Sequence, residues 1–217
     1  DLGNRVRSFR TGHLLMNKNI PAVQEEAGYS FSSCYGAGDV MTCFPYLERI
    51  GNDWTGRQSK VLQMPLHFSD VINSDPMDET NWHEKPDFWL KILNKLAGNY
   101  APAILLIHPN RDWKMLAEKM LVERMDRQNI GLYNFEDYGD FWQERRSMNF
   151  DFAYVEEKDK VMIRGNRADF DRNKHLSFMV ETASGRCPSE IVLTDENSYS
   201  LTLQIKEVAK GKYLAFQ

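Results

Sequence analysis

The apolar run at residues 103–107 constrains the fold of this chain more than any other feature of its sequence. It ends directly at His108 and Pro109, which is the pattern of a strand buried on both faces of a sheet. An amphipathic helix follows, because apolar residues recur on one of its faces. These residues are Trp113, Leu116, Ala117, Met120 and Leu121. A buried strand followed at once by a helix that covers a sheet predicts a β/α unit.

The same alternation of strand and helix precedes this unit. Residues 5–9, 29–34 and 61–68 read as strands, and residues 130–135 continue the pattern after the amphipathic helix. Two further helices are predicted. They begin near Pro21 and Pro86 and end at Gly28 and Gly98. Repeated units of this kind are typical of a parallel sheet or of part of a β/α barrel, in which functional groups lie at the carboxyl ends of the strands.

The pattern changes near Trp142. From residue 150 onward no helical period is present, and short alternating segments are separated by Gly, Asn, Asp and Pro. The segments are residues 152–156, 160–164, 176–182, 191–194 and 200–206. The sequence therefore predicts an α/β domain over residues 1–148 and a compact antiparallel β-sandwich over residues 149–217.

Composition and charge exclude several classes of partner. With 27 basic and 31 acidic residues the net charge is -4, so we expect no cationic surface for nucleic acid. No stretch approaches the roughly 20 apolar residues of a membrane-spanning helix, so we expect no membrane span. The chain starts at Asp1 with no leader, which favours a processed or truncated piece of a longer product.

The three cysteines are too few for a disulfide scaffold, and they lack the paired spacing of a structural zinc site. Cys34 and Cys43 are the local candidates for one bridge. Buried free thiols are the favoured alternative, and the cysteines therefore do not indicate a redox compartment.

Three polar residues follow predicted strands and are the first candidates for chemistry. Arg10 follows residues 5–9, Asp39 follows residues 29–34, and His108 closes the buried strand. Each also has a structural interpretation. Arg10 also suits a solvated ion pair, and His108 also suits a core histidine whose hydrogen bonds are satisfied. Asp39 suits either a turn cap or a carboxylate that holds the imidazole of another residue, and these two roles of Asp39 are equally favoured.

Taken in order, these segments resemble the later motifs of the polysaccharide deacetylases, the NodB-like fourth family of carbohydrate esterases. The motifs are Phe9-Arg10, then Glu26-Ala27-Gly28-Tyr29 with a Ser-rich strand, then Leu106-Ile107-His108-Pro109. The resemblance covers roughly residues 5–135. It implies the second half of a (β/α) barrel of the glycoside hydrolase and deacetylase type, followed by the β-sandwich. It also implies that Arg10 orients a catalytic aspartate and that His108 is the general acid.

The resemblance further implies a divalent metal, expected to be zinc, that is bound by one Asp and two His. The two motifs that carry these ligands are not found in this chain, because its five histidines are so widely spread that no two share a helical turn. We therefore predict no metal ligand within these residues. The ligands are expected upstream of Asp1, in a missing N-terminal half of the same protein.

A polysaccharide or oligosaccharide is the substrate that the resemblance implies, and the protein would be a secreted or periplasmic hydrolase that removes acetyl groups. His13 lies where many relatives have an aromatic residue and is expected in the sugar groove. Trp54 and Trp82 lie in predicted loops and are the candidates for stacking on sugars, whereas Trp89 and Trp113 belong to apolar helix faces. The alternative is a non-catalytic glycan-binding protein on a degenerate deacetylase barrel, and a third possibility is a different hydrolase on a similar barrel.

Overall fold

A computed structural model describes residues 5–51, 55–71, 76–166, 177–197 and 199–216. The chain divides into two compact units, residues 1–143 and 144–217. The first unit mixes helices with parallel strands, and the second is built from strands. The boundary predicted from the sequence, after residue 148, lies slightly further along the chain.

The strands of the first unit form two sheets. Strands β1 (Ser8–Phe9), β2 (Phe31–Ser32) and β4 (Arg57–Gln63) pair in parallel, and β3 (Tyr46–Ile50) pairs with β4 in the antiparallel sense. Strands β5 (Phe68–Ser69) and β6 (Leu105–Leu106) form a second, parallel pair. Strand β5 follows β4 by a few residues along the chain, and between these two strands Leu66 forms an isolated parallel bridge with Gly36, which follows β2.

Five helices accompany these strands in the described residues. They are α1 (Ile20–Glu26), α2 (Ala37–Val40), α3 (Lys85–Ala97), α4 (Asp112–Arg127) and α5 (Phe135–Ser147). Pro86 occupies the first turn of α3, where its missing N–H costs no helical hydrogen bond, and the helix ends at Gly98. Helices α3 and α4 bury their apolar faces in one core with Phe68.

Helix α5 packs on β2 by a close approach. Gly139 lies against the ring of Phe31, and a Cβ added at Gly139 would be 2.5 Å from that ring. Arg7 donates to Asp140 at 2.9 Å, and Ser8 donates to Glu136 at 2.8 Å, so polar contacts with α5 flank β1. These contacts hold β1 in place at the edge of its sheet.

The second unit contains two sheets that share one buried cluster. Strands β7 (Asp151–Val155), β8 (Lys160–Arg164), β10 (Glu190–Thr194) and β11 (Ser200–Thr202) form one sheet, in the order β11-β10-β8-β7. The other consists of β9 (Ser177–Glu181), β12 (Gln204–Ala209) and β13 (Lys212–Phe216), in the order β12-β13-β9. The cluster takes Ile163, Ile191 and Leu193 from the first sheet and Phe178 and Ala215 from the second.

The fold is mixed α/β, and none of the sheets in the described residues closes into a barrel. Three details of the sequence prediction are wrong. Leu105 and Leu106 of β6 are only partly buried, because in the described residues β6 pairs with β5 alone. Residues 130–134 form no strand and lead directly into α5. The second unit is not purely antiparallel, since β8 and β10 pair in parallel.

All three cysteines are free, which agrees with the favoured alternative, and no bridge joins Cys34 to Cys43. Cys34 is buried, Cys43 is partly buried and Cys187 is exposed. Among the residues described, no helix combines the length and the apolar character that a membrane crossing requires.

Candidate functional site

The ends of β5 and β6 bring Asp70 and His108 together. Ser69 pairs in parallel with Leu106, so the residues that follow the two strands leave the sheet at the same edge. The Asp70 N–H donates to the Leu106 carbonyl at 3.2 Å, and the His108 N–H donates to Asp70 Oδ2 at 3.1 Å. The backbone pairing therefore continues past the ends of the strands into a contact between the His108 backbone and the Asp70 side chain.

The imidazole of His108 is held by the same carboxylate. His108 Nδ1 lies 2.8 Å from Asp70 Oδ1. An ionised carboxylate only accepts hydrogen bonds, so this contact places a proton on Nδ1 and leaves Nε2 to exchange protons with an outside group. The Asp70 side chain is fully buried, whereas 46% of the His108 side chain is exposed. Asp70 thus anchors the pair in the protein interior, and the His108 ring is accessible from outside.

Lys114 completes this group from the first turn of α4. Its ammonium lies 2.7 Å from Asp70 Oδ2, and its side chain is only 8% exposed. Burial raises the pKa of Asp70, but the hydrogen bonds from Lys114 and His108 outweigh that effect and the resulting pKa is below its usual value. Asp70 is therefore a buried carboxylate that stays ionised at neutral pH.

Arg10 lies at the end of β1 and points toward the end of β2. Its Nε donates to the Ser33 carbonyl at 3.0 Å, and Nη2 donates to Ser33 Oγ at 3.0 Å. Burial lowers the pKa of Arg10, and the electrostatic interaction with Cys34 opposes this in part. Arg10 and Ser33 line a cavity of about 920 Å³ together with Ile107 and Pro109, which flank His108. The cavity thus reaches the ends of β1, β2 and β6, but Asp70, His108 and Lys114 are not among the residues that line it.

The remaining predicted site residues lie elsewhere. Asp39 Oδ2 accepts the Gly36 N–H at 3.1 Å at the start of α2, so the structure has the turn-capping alternative and the imidazole of His108 binds Asp70 instead. His13 is exposed in a short 3₁₀ turn (Gly12–Leu14) with a φ of 54°. Trp82 is partly buried and packs against the core of α3 and α4. Trp54 lies outside the described residues.

The four histidines that the structure describes show no arrangement for a metal. His67 bridges two backbone segments, since the Ile104 N–H donates to its Nδ1 at 3.0 Å and its Nε2 lies 3.2 Å from the Cys43 carbonyl. His83 is exposed just before α3, and His175 lies outside the described ranges. Within those ranges no group of three or more His, Cys, Asp or Glu side chains is positioned to hold a metal ion. The described residues therefore do not fit the metal site of the resemblance.

Asp70 and Lys114 were not among the site residues predicted from the sequence, although the sequence carries a signal for each. Asp70 follows the apolar strand that contains Phe68, just as His108 follows its own strand. Lys114 occupies the buried face of α4. Its companions on that face are Ala117, Leu121 and Met125. A lysine in the buried stripe of a helix indicates a buried anionic partner.

A comparison with protein-family models found no match, and a comparison with curated proteins found none either. The resemblance to polysaccharide deacetylases therefore remains a prediction from the motifs.

Proposed function

We propose that this chain is the acid side of a metal-dependent polysaccharide deacetylase, a hydrolase that removes acetyl groups from a polysaccharide or oligosaccharide. One observation carries the proposal: the His108 imidazole is anchored through Nδ1 on a buried carboxylate, and its exposed side lies at the edge where parallel strands end. This is the position and the arrangement that a general acid requires.

The reaction needs such an acid because its leaving groups are poor. An amine or a sugar alkoxide leaves a tetrahedral intermediate only when it receives a proton, and imidazole is the side chain whose ordinary titration lies nearest to neutral pH. His108 would give the Nε2 proton to the leaving nitrogen or oxygen. Asp70 would stabilise the imidazolium that exists before this transfer and would keep the ring in one orientation.

Arg10 would act on the catalytic base and not on the proton donor. Its hydrogen bonds go to neutral groups of Ser33, so its positive charge remains available to a carboxylate that enters the cavity beside it. Guanidinium groups bind carboxylates in a fixed, bidentate geometry. Arg10 would therefore orient the aspartate that acts as the base.

The metal and the base would come from sequence that precedes Asp1. A divalent cation, expected to be zinc, would polarise the acetyl carbonyl and activate a water molecule when bound. The open sheet supports this arrangement. Among the described residues β1 and β6 each have one unpaired edge, and the cavity lined by Arg10 and Ile107 lies between them. Parallel strands from a preceding half would pair with both edges.

The proposal is tested with the protein expressed together with any sequence that its gene encodes before Asp1. Acetate release is measured on acetylated chito-oligosaccharides, acetylated xylan and other acetylated glycans, and bound metal is measured in the same samples. We expect His108→Ala to lower turnover by about 10²-fold to 10⁴-fold while metal content is unchanged.

The control is His83→Ala, which removes an exposed histidine of the same unit. It should leave both turnover and metal content unchanged. Equal losses of turnover and metal in His108→Ala would remove His108 from the acid role. Glycan binding by the wild-type protein with no acetate release from any glycan would favour the glycan-binding alternative. A secreted or periplasmic location is part of the proposal, because that is where such glycans occur.

A further inference from the structure

Lys114 and His108 share the two oxygens of one carboxylate. Oδ2 of Asp70 accepts from the Lys114 ammonium at 2.7 Å and from the His108 backbone N–H at 3.1 Å, while Oδ1 faces His108 Nδ1 at 2.8 Å. With Oδ2 fixed by two donors, the carboxylate has little freedom to rotate. Lys114 therefore contributes to the direction in which Oδ1 points.

The positive charge of Lys114 also favours the ionised form of Asp70. Asp70 is fully buried, and a carboxylate without a cationic partner in such a place tends to take up a proton. A protonated Asp70 would present an O–H where His108 Nδ1 needs an acceptor. The imidazole would then lose its anchor, or its proton would shift between the two ring nitrogens.

The other groups around Asp70 do not replace this cation. Ser69 Oγ donates to Oδ1 at 3.3 Å, and the Met77 N–H donates to the Asp70 backbone carbonyl at 2.9 Å. In the described ranges the charged or titratable side chains that bind the carboxylate are His108, from the end of β6, and Lys114, from α4. Lys114 is the one of these two that is itself buried.

We infer that Lys114 is a positioning residue for the proton donor: it keeps Asp70 ionised and oriented, and thereby keeps the transferable proton of His108 on Nε2. This inference rests on the proposed function for its catalytic meaning. The dependence of the Asp70 charge on Lys114 can be measured whether or not the protein turns over a substrate.

The test is a pH titration of the Asp70 carboxyl carbon by NMR in protein labelled with ¹³C-aspartate. The variants are Lys114→Met, which keeps the apolar stem, and Lys114→Arg, which keeps the charge. In the wild type and in Lys114→Arg we expect a midpoint below the usual range of an aspartate. In Lys114→Met we expect the midpoint to rise by about one pH unit or more. A midpoint within about 0.3 units of wild type in Lys114→Met would overturn the inference.

Lys119→Met is the matched control, because Lys119 is an exposed lysine of the same helix. It should leave the Asp70 midpoint unchanged. If Lys114→Met fails to fold, the double variant Asp70→Asn/Lys114→Met decides between charge and packing. Recovery of folding in the double variant supports the inference, since the defect was then an unpaired buried charge. A double variant that is as unstable as the single one shows that Lys114 acts by packing, and the inference fails.

Where the wild-type protein releases acetate, the pH dependence of turnover adds a second measurement. Protonation of Asp70 at higher pH in Lys114→Met should move the acid limb of the profile upward by about the same one unit. A uniform loss at every pH with no shift of the limb would contradict the inference. If no glycan is deacetylated by the wild type, the proposed function fails, and the NMR titration still decides whether Lys114 controls Asp70.

Discussion

His67 connects two parts of the backbone through both of its ring nitrogens. It accepts the Ile104 N–H on Nδ1 and lies within hydrogen-bond distance of the Cys43 carbonyl through Nε2. The neutral ring therefore carries its proton on Nε2, and a second proton on Nδ1 would break the contact with Ile104. Burial lowers the pKa of His67, and the contact with Cys43 offsets part of this effect.

The lowered pKa predicts how stability changes with pH. The unfolded chain binds a proton at His67 below about pH 6.5, whereas the folded protein resists it, so the free energy of unfolding falls as the pH drops below that value. We expect His67→Gln to show a smaller loss of stability between pH 8 and pH 5.5 than wild type. Urea unfolding followed by tryptophan fluorescence measures this in the first unit, because all five tryptophans precede residue 144. His83→Gln is the control, and an identical pH dependence in wild type and His67→Gln would contradict the prediction.

Asp70 gives a second prediction at this scale. Asp70→Asn removes the partner of a buried ammonium while it preserves the size of the side chain, so we expect a loss of about 3–5 kcal/mol in the free energy of unfolding. Glu123→Gln, at an exposed position of α4, should change stability by less than about 0.5 kcal/mol. The same urea measurement at pH 7 compares the two variants. Equal effects would show that Asp70 and Lys114 do not form a structural ion pair.

Among the elements, helices α3 and α4 were predictable because their signals are local. Pro86 and Gly98 mark the two ends of α3, and the apolar period of α4 lies within its own sequence. The position of β6 was not predictable in the same way. Its apolar sequence indicates a strand, but its partial burial depends on which other strands pair with it, and that is a property of distant segments.

The packing of α5 on β2 depends on a glycine inside the helix. Replacing a helical glycine by alanine ordinarily stabilises a helix by about 0.5–1 kcal/mol. At Gly139 the added Cβ would lie 2.5 Å from the ring of Phe31, and the clash should dominate. We expect Gly139→Ala to destabilise the first unit by about 1–3 kcal/mol.

Gly38→Ala is the control for this prediction, because a Cβ at Gly38 has no neighbouring atom within 4 Å. It should be neutral or slightly stabilising. Phe31→Leu combined with Gly139→Ala should cost less than the sum of the two single changes, since the smaller side chain relieves the clash. Urea unfolding measures all four proteins. Stabilisation by Gly139→Ala alone would contradict the packing described for α5.

At the scale of the whole molecule, the sequence indicated the change from helices and strands to strands alone, because no helical period is present from residue 150 onward. It did not indicate the parallel pairing of β8 with β10, since these strands are separated by β9 and their pairing leaves no local mark. The candidate site was also predictable only in part. His108 follows an apolar run and stands out, whereas its pairing with Asp70 depends on the register of β5 against β6.

For the whole protein, we propose that His108 protonates the leaving group. It is tested most directly by comparing acetyl substrates whose leaving groups differ in basicity, using the protein with any sequence that its gene encodes before Asp1. Leaving groups that depart as stable anions, such as 4-nitrophenolate, need no proton, whereas sugar alkoxides and amines do. We predict that His108→Gln lowers kcat/KM for acetylated glycans by about 10²-fold or more and lowers it by less than about 10-fold for 4-nitrophenyl acetate. Equal losses on both classes of substrate would contradict the role of His108 as the acid.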